Sequence, residues 1–221
     1  MVDLLAVCAH PDDLEVCAGG IFLKAKQEGL KTGQIILTDG AASGRAHAQA
    51  RREEAAEGGK RLGLDYLVHL DFPDAALEFN QQAVQALIPH LRKAAPRLIV
   101  TLHPADYHPD HVAAAKITEA AAFSAGLPKY ATDESEWHYD AILYMSADPR
   151  TNPLRPQLLF DISDVIDEKL HACAAHVSQK VTDFAKDYSR TLGQMAGVSY
   201  AEGLYLGQVL VLDKVSGLLR I

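Results

Sequence analysis

The chain has 221 residues, of which 48% are hydrophobic and 23% charged, and its formal net charge is −8. This length holds one globular domain, residues 1–221, with a sizeable core and no need of staples, and the acidic balance excludes a protein built to grip a nucleic-acid backbone. Cys8, Cys17 and Cys173 form no CxxC pair, which excludes a disulfide framework and points to a reducing, cytoplasmic compartment. The N-terminus shows no basic region of a signal peptide, Asp3 standing where one would begin. No apolar stretch reaches the ~18 residues of a membrane span, so no membrane partner is expected.

Leu4–Ala9 is a short apolar run and reads as a buried strand. Gly19–Glu28 reads as a helix stopped by Gly29. Gln34–Thr38 is a β-branched run followed by the loop "DGAASGRA". Ala48–Leu62 has helix-favouring composition, interrupted by Gly58 and Gly59. Tyr66–Leu70 is the third strand candidate and runs into "DFPDAAL". Gln81–Lys93 reads as a helix with Pro89 inside it. Arg97–Leu102 is a fourth strand, followed by "HPADYHPDH" and a helix over Val112–Ser124. Ala141–Met145 is a fifth strand, within a long loop or insert spanning about 129–152. The stretch "KYATDESEWHYD" in that insert matches no pattern and is a candidate wall of the substrate mouth. Asp164–Gln179 and Val181–Met195 read as helices, and Gln208–Leu212 as a late strand. This alternation predicts an α/β fold with a mainly parallel, three-layer sheet. The loops after strands one, two and four then share the carboxyl edge of the sheet, where open α/β folds bind ligands.

"HPDDLE" taken alone fits a helix start, with Pro11 at the first turn and Asp12, Asp13 and Glu15 meeting the helix dipole. "HPADYHPDH" admits the same reading through Pro109 and Asp110. Together they place His10, His103, His108 and His111, four of the ten histidines, on one sheet edge beside carboxylates. Imidazole and carboxylate donors suit zinc, whose catalytic sites take three protein ligands and leave one position open. Fe(II) also fits such a set. There is no GxGxxG, no P-loop and no GxSxG elbow. His10 and Asp13 stand at i, i+3 and face one side of a helical turn. His108 and His111 have the same spacing, so spacing alone leaves open which of them binds metal.

"AHPDDLE" with "DYHPDH" resembles the PIG-L/LmbE-like N-acetylglucosaminyl deacetylases, and most of all the bacillithiol-biosynthesis (BshB-like) members. "LTDGAASGR", Arg51-x-x-Glu54, "LDFPDAAL" and "SYAEG" support the likeness. The resemblance implies a Rossmann-like α/β/α sandwich and a zinc hydrolase. Its substrate would be a small GlcNAc conjugate, GlcNAc-malate above all, and the protein a homo-oligomer. It implies His10, Asp13 and His111 as metal ligands, Asp12 as general base, His108 as an imidazolium facing the oxyanion, and Asp110 as the group that orients or tunes His108. Arg51 and Tyr200 match positions near substrate. Arg45 or Arg51 are candidates to pair with a substrate carboxylate, while Arg51 has an equal alternative as an ion pair with Glu54. His103 is expected to pack at the strand end, Asp106 to orient its loop, and Glu15 either to back a ligand histidine or to be a plain first-turn carboxylate. The competing functions are an amidase acting on a thiol conjugate or a chitooligosaccharide, and a metal- or sugar-binding protein without turnover.

Overall fold

The computed structural model describes residues 1–128, 130, 134–145 and 155–209. Among them, β1 (Leu4–Cys8), β2 (Thr32–Thr38), β3 (Tyr66–Phe72), β4 (Leu98–Leu102), β5 (Ala141–Met145), β6 (Leu158–Asp161) and β7 (Ala201–Leu206) form one sheet in the order β3-β2-β1-β4-β5-β7-β6. The first five run parallel, and β7 is antiparallel to both its neighbours. β1 and β2 are buried along their whole length, as a parallel sheet covered on both faces requires.

The helices are α1 (Asp13–Cys17), α2 (Gly19–Gln27), α3 (Ala48–Leu62), α4 (Gln81–Ala94), α5 (Pro109–Ala125), α6 (Ile166–Cys173) and α7 (Thr182–Ala196). α4 packs on α5, while α6 packs on α2, α3 and α7, which gives the two outer layers. The chain winds outward from β1 through β2 to β3, then returns to place β4 on β1's other side. That reversal opens a crevice at the carboxyl ends of β1 and β4, the two strands whose loops carry the histidines.

Several elements differ from the sequence expectation. A short α1 precedes α2, separated by the kink at Ala18 (φ −146°). α6 stops at Cys173 instead of continuing to Gln179. Tertiary contacts draw the chain out there: His176 turns inward to Glu15, and Ser178 N–H donates to Glu54 Oε1 at 2.7 Å. β6 and β7 were not expected. The late strand expected at Gln208–Leu212 is absent at Gln208 and Val209, and its remainder, 210–212, lies outside the described residues. The described part of "KYATDESEWHYD" does not border the crevice. It leads into the start of β5, where Asp140 N–H donates to Arg97 O at 2.8 Å, at the opposite, amino edge of the sheet.

α3 runs unbroken through Gly58 and Gly59. A Cβ on Gly58 would collide with the Glu15 carboxylate and lie 3.0 Å from His176 Nε2. Glu15 and His176 are both fully buried, 3.4 Å apart, so Glu15 backs neither metal-ligand histidine. Gly58→Ala is expected to lower the melting temperature although alanine is the better helix former. Overpacking costs about 1–3 kcal/mol, against up to about 1 kcal/mol gained in helix propensity. A melting curve at or above that of the parent protein would refute this account of Gly58.

Candidate metal centre and active site

β1 ends at Cys8, and Ala9 O accepts the backbone N–H of Thr38 at 2.9 Å and its hydroxyl at 2.8 Å. The next four residues turn over the sheet edge. Asp12 is the N-cap of α1, yet its side chain makes no capping hydrogen bond. Asp13 Oδ2 instead accepts the backbone N–H of His10 at 2.7 Å. The carboxylates of this turn therefore serve something other than helix capping.

Three donor residues converge here, Asp13 facing one histidine with each of its oxygens. His10 Nδ1 lies 3.2 Å from His111 Nε2 and 3.6 Å from Asp13 Oδ2, and His111 Nε2 lies 3.3 Å from Asp13 Oδ1. Ligands at about 2.0–2.2 Å in a tetrahedral shell are spaced by about 3.3–3.6 Å, so the triangle fits one metal ion with a position left open. The second nitrogens are backed by carboxylates: His10 Nε2 is 3.1 Å from Asp74 and 3.4 Å from Asp110, and His111 Nδ1 is 3.1 Å from Asp106. Such partners fix ring orientation and raise ligand basicity. Two other groups gather within 4.8 Å, His10 with His108 and His111, and His10 with Asp74 and Asp110. In the first, His108 has its Nδ1 taken by the N–H of Asp110, which leaves it one nitrogen. In the second, the carboxylates face the wrong nitrogen of His10. The triangle with Asp13 is the better fit.

Electrostatics matches a cation cradle. Burial alone would lower the pKa of His10, but Asp13, Asp110 and Asp74 outweigh it and hold it well above the usual histidine value. The same balance lifts His111 to about 9, chiefly through Asp13 against the burial. Asp74 falls to about 2 beside His10. The carboxylates thus favour positive charge at this pair of histidines, the charge that a bound cation would supply.

His108 caps α5, its Nδ1 accepting the N–H of Asp110 at 3.2 Å. Burial and the neighbouring His10 and His111 push its pKa below the usual value. With Nδ1 taken as an acceptor, Nε2 is the His108 nitrogen that carries a proton toward the cavity, and this contact favours the neutral imidazole over the imidazolium expected. The Asp110 carboxylate does not contact His108 either. It accepts the N–H groups of Ala75 (2.7 Å) and Leu77 (3.3 Å) and faces His10.

A cavity of about 420 Å³ opens at this centre, walled in part by His10, Asp12, Asp13, Arg51, Asp74 and His108. Arg51 is buried and held at all three nitrogens: Nη2 donates to Asp12 Oδ1 (2.8 Å), Nη1 to Glu54 Oε2 (3.1 Å) and Nε to Gly40 O (3.1 Å). Its Glu54 pairing holds, with Asp12 as a second partner. Gly40 permits this contact through its left-handed φ of +64°, since a Cβ there would meet Pro11 Cδ at 2.6 Å. Arg45 is exposed, outside the cavity wall, and donates to Gln179 O at 3.3 Å. Tyr200 is not brought to the cavity wall: it packs on the small Ile162, Val165 and Ile166 cluster. His103 packs against Tyr144 and Tyr205 as expected. Asp106 accepts the N–H of His108 at 3.0 Å, orienting its loop, and supports His111 as well. Asp74 is the residue that sequence reasoning missed. Its signal was its place after β3 on the same carboxyl edge.

Residues 5–122, more than half of the chain, match the PIG-L family model, described as GlcNAc-PI de-N-acetylase. A diacetylchitobiose deacetylase of Thermococcus kodakarensis is 29% identical over 225 residues, 91% of this chain and 81% of the relative. A crystal structure of a conserved protein from Thermus thermophilus is 35% identical with a TM-score of 0.87, covering 96% of this chain and 98% of that one. The 4-carboxy-2-hydroxymuconate hydratase of Pseudomonas putida shares the fold, with a TM-score of 0.84 at 22% identity, 97% of this chain and 100% of that one being covered. The fold therefore hosts more than one chemistry, and function must be argued from the site. By the family match and by the fold, the chain belongs to the PIG-L family.

Proposed function

We propose that the protein is a metal-dependent N-deacetylase acting on a small, neutral N-acetylglucosamine-type substrate, with zinc as its metal. The observation that carries this reading is the His10–Asp13–His111 triangle with Asp12 beside it at the mouth of a cavity of ligand size. Held by His10, Asp13 and His111, a metal would supply Lewis-acid chemistry, making water more acidic and the amide carbonyl more electrophilic. Asp12 takes the proton from the attacking water. Arg51 fixes one oxygen of Asp12 and leaves the other free for that task. His108 donates its Nε2 proton as a hydrogen bond to the carbonyl oxygen as charge gathers there. Asp12, now protonated, is placed to return that proton to the leaving amine. The C–N bond breaks, a C–O bond forms, and acetate and a free amine leave.

The neutral substrate follows from charge. Among the described residues lining the cavity, Arg51 is the one Lys or Arg, and it is already held by Asp12 and Glu54. GlcNAc-malate, the bacillithiol-type substrate, would have to recruit Arg45 from the rim. Acetate release from diacetylchitobiose, GlcNAc and GlcNAc-malate, with metal-loaded and chelated protein, tests the reading. Release that needs metal and favours the neutral sugars supports it. Preference for GlcNAc-malate would move the reading to the bacillithiol branch, and no release from any would overturn it. Metal analysis of the purified protein decides between zinc and Fe(II).

The ligand roles make their own prediction. His111→Ala or Asp13→Ala is expected to lose the metal. Asp110→Asn, which weakens the support behind His10, is expected to lower metal affinity about 10- to 100-fold. Competition with a chelator measures both, and full occupancy in His111→Ala would overturn the assignment.

A further inference from the structure

A second cavity, of about 230 Å³, adjoins the first at the metal centre. The two share Asp12, Asp13 and His108 and differ in everything else. The first continues along polar surface, with Ser43, Arg51, Asp74 and Gln179. Beyond Asp106 and His111 at the metal centre, the second continues along Val16 and Cys17 of α1, Tyr107 of the β4 loop, and Val181 and Phe184 at the start of α7. Burial pushes the Cys17 thiol well above its usual pKa, so this wall presents a neutral sulfur. Tyr107 and Phe184 leave about half of their surface exposed, 53% and 51%, at the mouth. An apolar lobe with exposed aromatics beside a hydrolytic centre wants an apolar occupant.

We propose that this lobe is an acyl subsite and that the enzyme hydrolyses N-acyl aminosugars with acyl chains of about four to seven carbons as well as the acetyl amide. The inference rests on the N-deacetylase reading and deepens it. The scissile carbonyl has to lie where the lobes meet, between the metal triangle, Asp12 and His108. The sugar, rich in hydroxyls, then takes the polar lobe, and the acyl chain takes the apolar one. An acetyl group offers the lobe a single methyl. At roughly 30 Å³ for a water-sized group, 230 Å³ holds at most about seven such groups, the scissile carbonyl at the metal centre included. The reaction is unchanged in kind: water adds across the amide, the C–N bond breaks, and a fatty carboxylate and an aminosugar leave.

The test compares N-acetyl-, N-butyryl- and N-hexanoylglucosamine as substrates of the metal-loaded enzyme, and acetate, butyrate and hexanoate as ligands by calorimetry. Each buried methylene is expected to raise kcat/KM, and to lower the Kd of the carboxylate, about two- to fourfold, with an increasingly negative heat-capacity change. Val181→Trp fills the lobe. Val181 gives α7 no side-chain cap, so the exchange costs the helix no hydrogen bond. It is expected to lower the hexanoyl-to-acetyl ratio at least tenfold, a ratio insensitive to how much protein is folded. Acetyl turnover with hexanoyl at least tenfold poorer, or a ratio unmoved in Val181→Trp, overturns the acyl subsite and leaves the deacetylase reading standing. No hydrolysis of any amide overturns both.

Discussion

Asp12→Asn protein is expected to keep its metal and to lose amide hydrolysis by about 10²- to 10⁴-fold, the usual range for removing a general base. Asparagine is the right replacement because of Arg51. The buried guanidinium donates to Asp12 Oδ1 at 2.8 Å, and an asparagine Oδ1 can still accept that bond. Alanine would leave a buried arginine short of a partner, and a folding defect would then mimic a catalytic one. Asp12 makes none of the short contacts that define the His10–Asp13–His111 triangle, so metal content should match that of the parent. The pair of measurements is acetate release and metal stoichiometry on the same preparation. Activity within tenfold of the parent would remove Asp12 as the base. Loss of metal would mean that Asp12 and Asp13 act jointly as ligands.

The strands β1, β2 and β4 were legible because each is buried over nearly its whole length and so reads as an apolar run. Their order placed the loops of His10 and His108 on one edge. The residue types in those loops gave the chemistry. What the sequence did not reveal are the pairings made across the fold. Asp110 stands two residues from His108, yet its carboxylate reaches His10, a hundred residues away in sequence, because Ala75 and Leu77 hold it with their N–H groups. Arg51 reads as an i, i+3 partner of Glu54, which it is, but its second role on Asp12 needs the turn at Gly40. Gly58 reads as a helix breaker. It is a helix residue that makes room for the buried Glu15–His176 pair. β7 carries Glu202 and Gly203, residue types poor in strands, and so concealed a buried strand. Helix α6 had the composition to continue and stopped because Glu54 and Glu15 offered partners to Ser178 and His176. In each case a local propensity was overridden by a contact distant in sequence.

Glu202→Ala is expected to destabilise the protein by about 3–5 kcal/mol, the cost of breaking a buried charge pair from one side. Lys169 and Glu202 are almost wholly buried, with Nζ and Oε1 2.6 Å apart. Lys169 Nζ also donates to Val16 O and to Ser189 Oγ, both at 2.9 Å, so all three of its protons are placed. Glu202 accepts the N–H of Gly20 at 2.9 Å and of Ile21 at 2.7 Å, the free donors of the first turn of α2. One carboxylate on β7 thus ties the start of α2 to a lysine on α6, and that lysine holds the backbone of α1 at Val16. Truncation strands a buried ammonium and two helix N–H groups together. For a chain of this size, about 2–4 °C are lost per kcal/mol, so the melting temperature should fall by about 6–20 °C. Glu202→Gln keeps one acceptor and should lose less. Adding Lys169→Met to Glu202→Gln removes the uncompensated charge and should recover part of the loss. Since α1 begins with Asp13, the alanine variant should also bind metal more weakly well below its melting point. A Glu202→Ala protein within about 1 kcal/mol of the parent, a fraction of the cost expected for a broken buried pair, would show that water or a repacked neighbour replaces the carboxylate, and that this buried pair is not what anchors α1 and the metal ligand it presents.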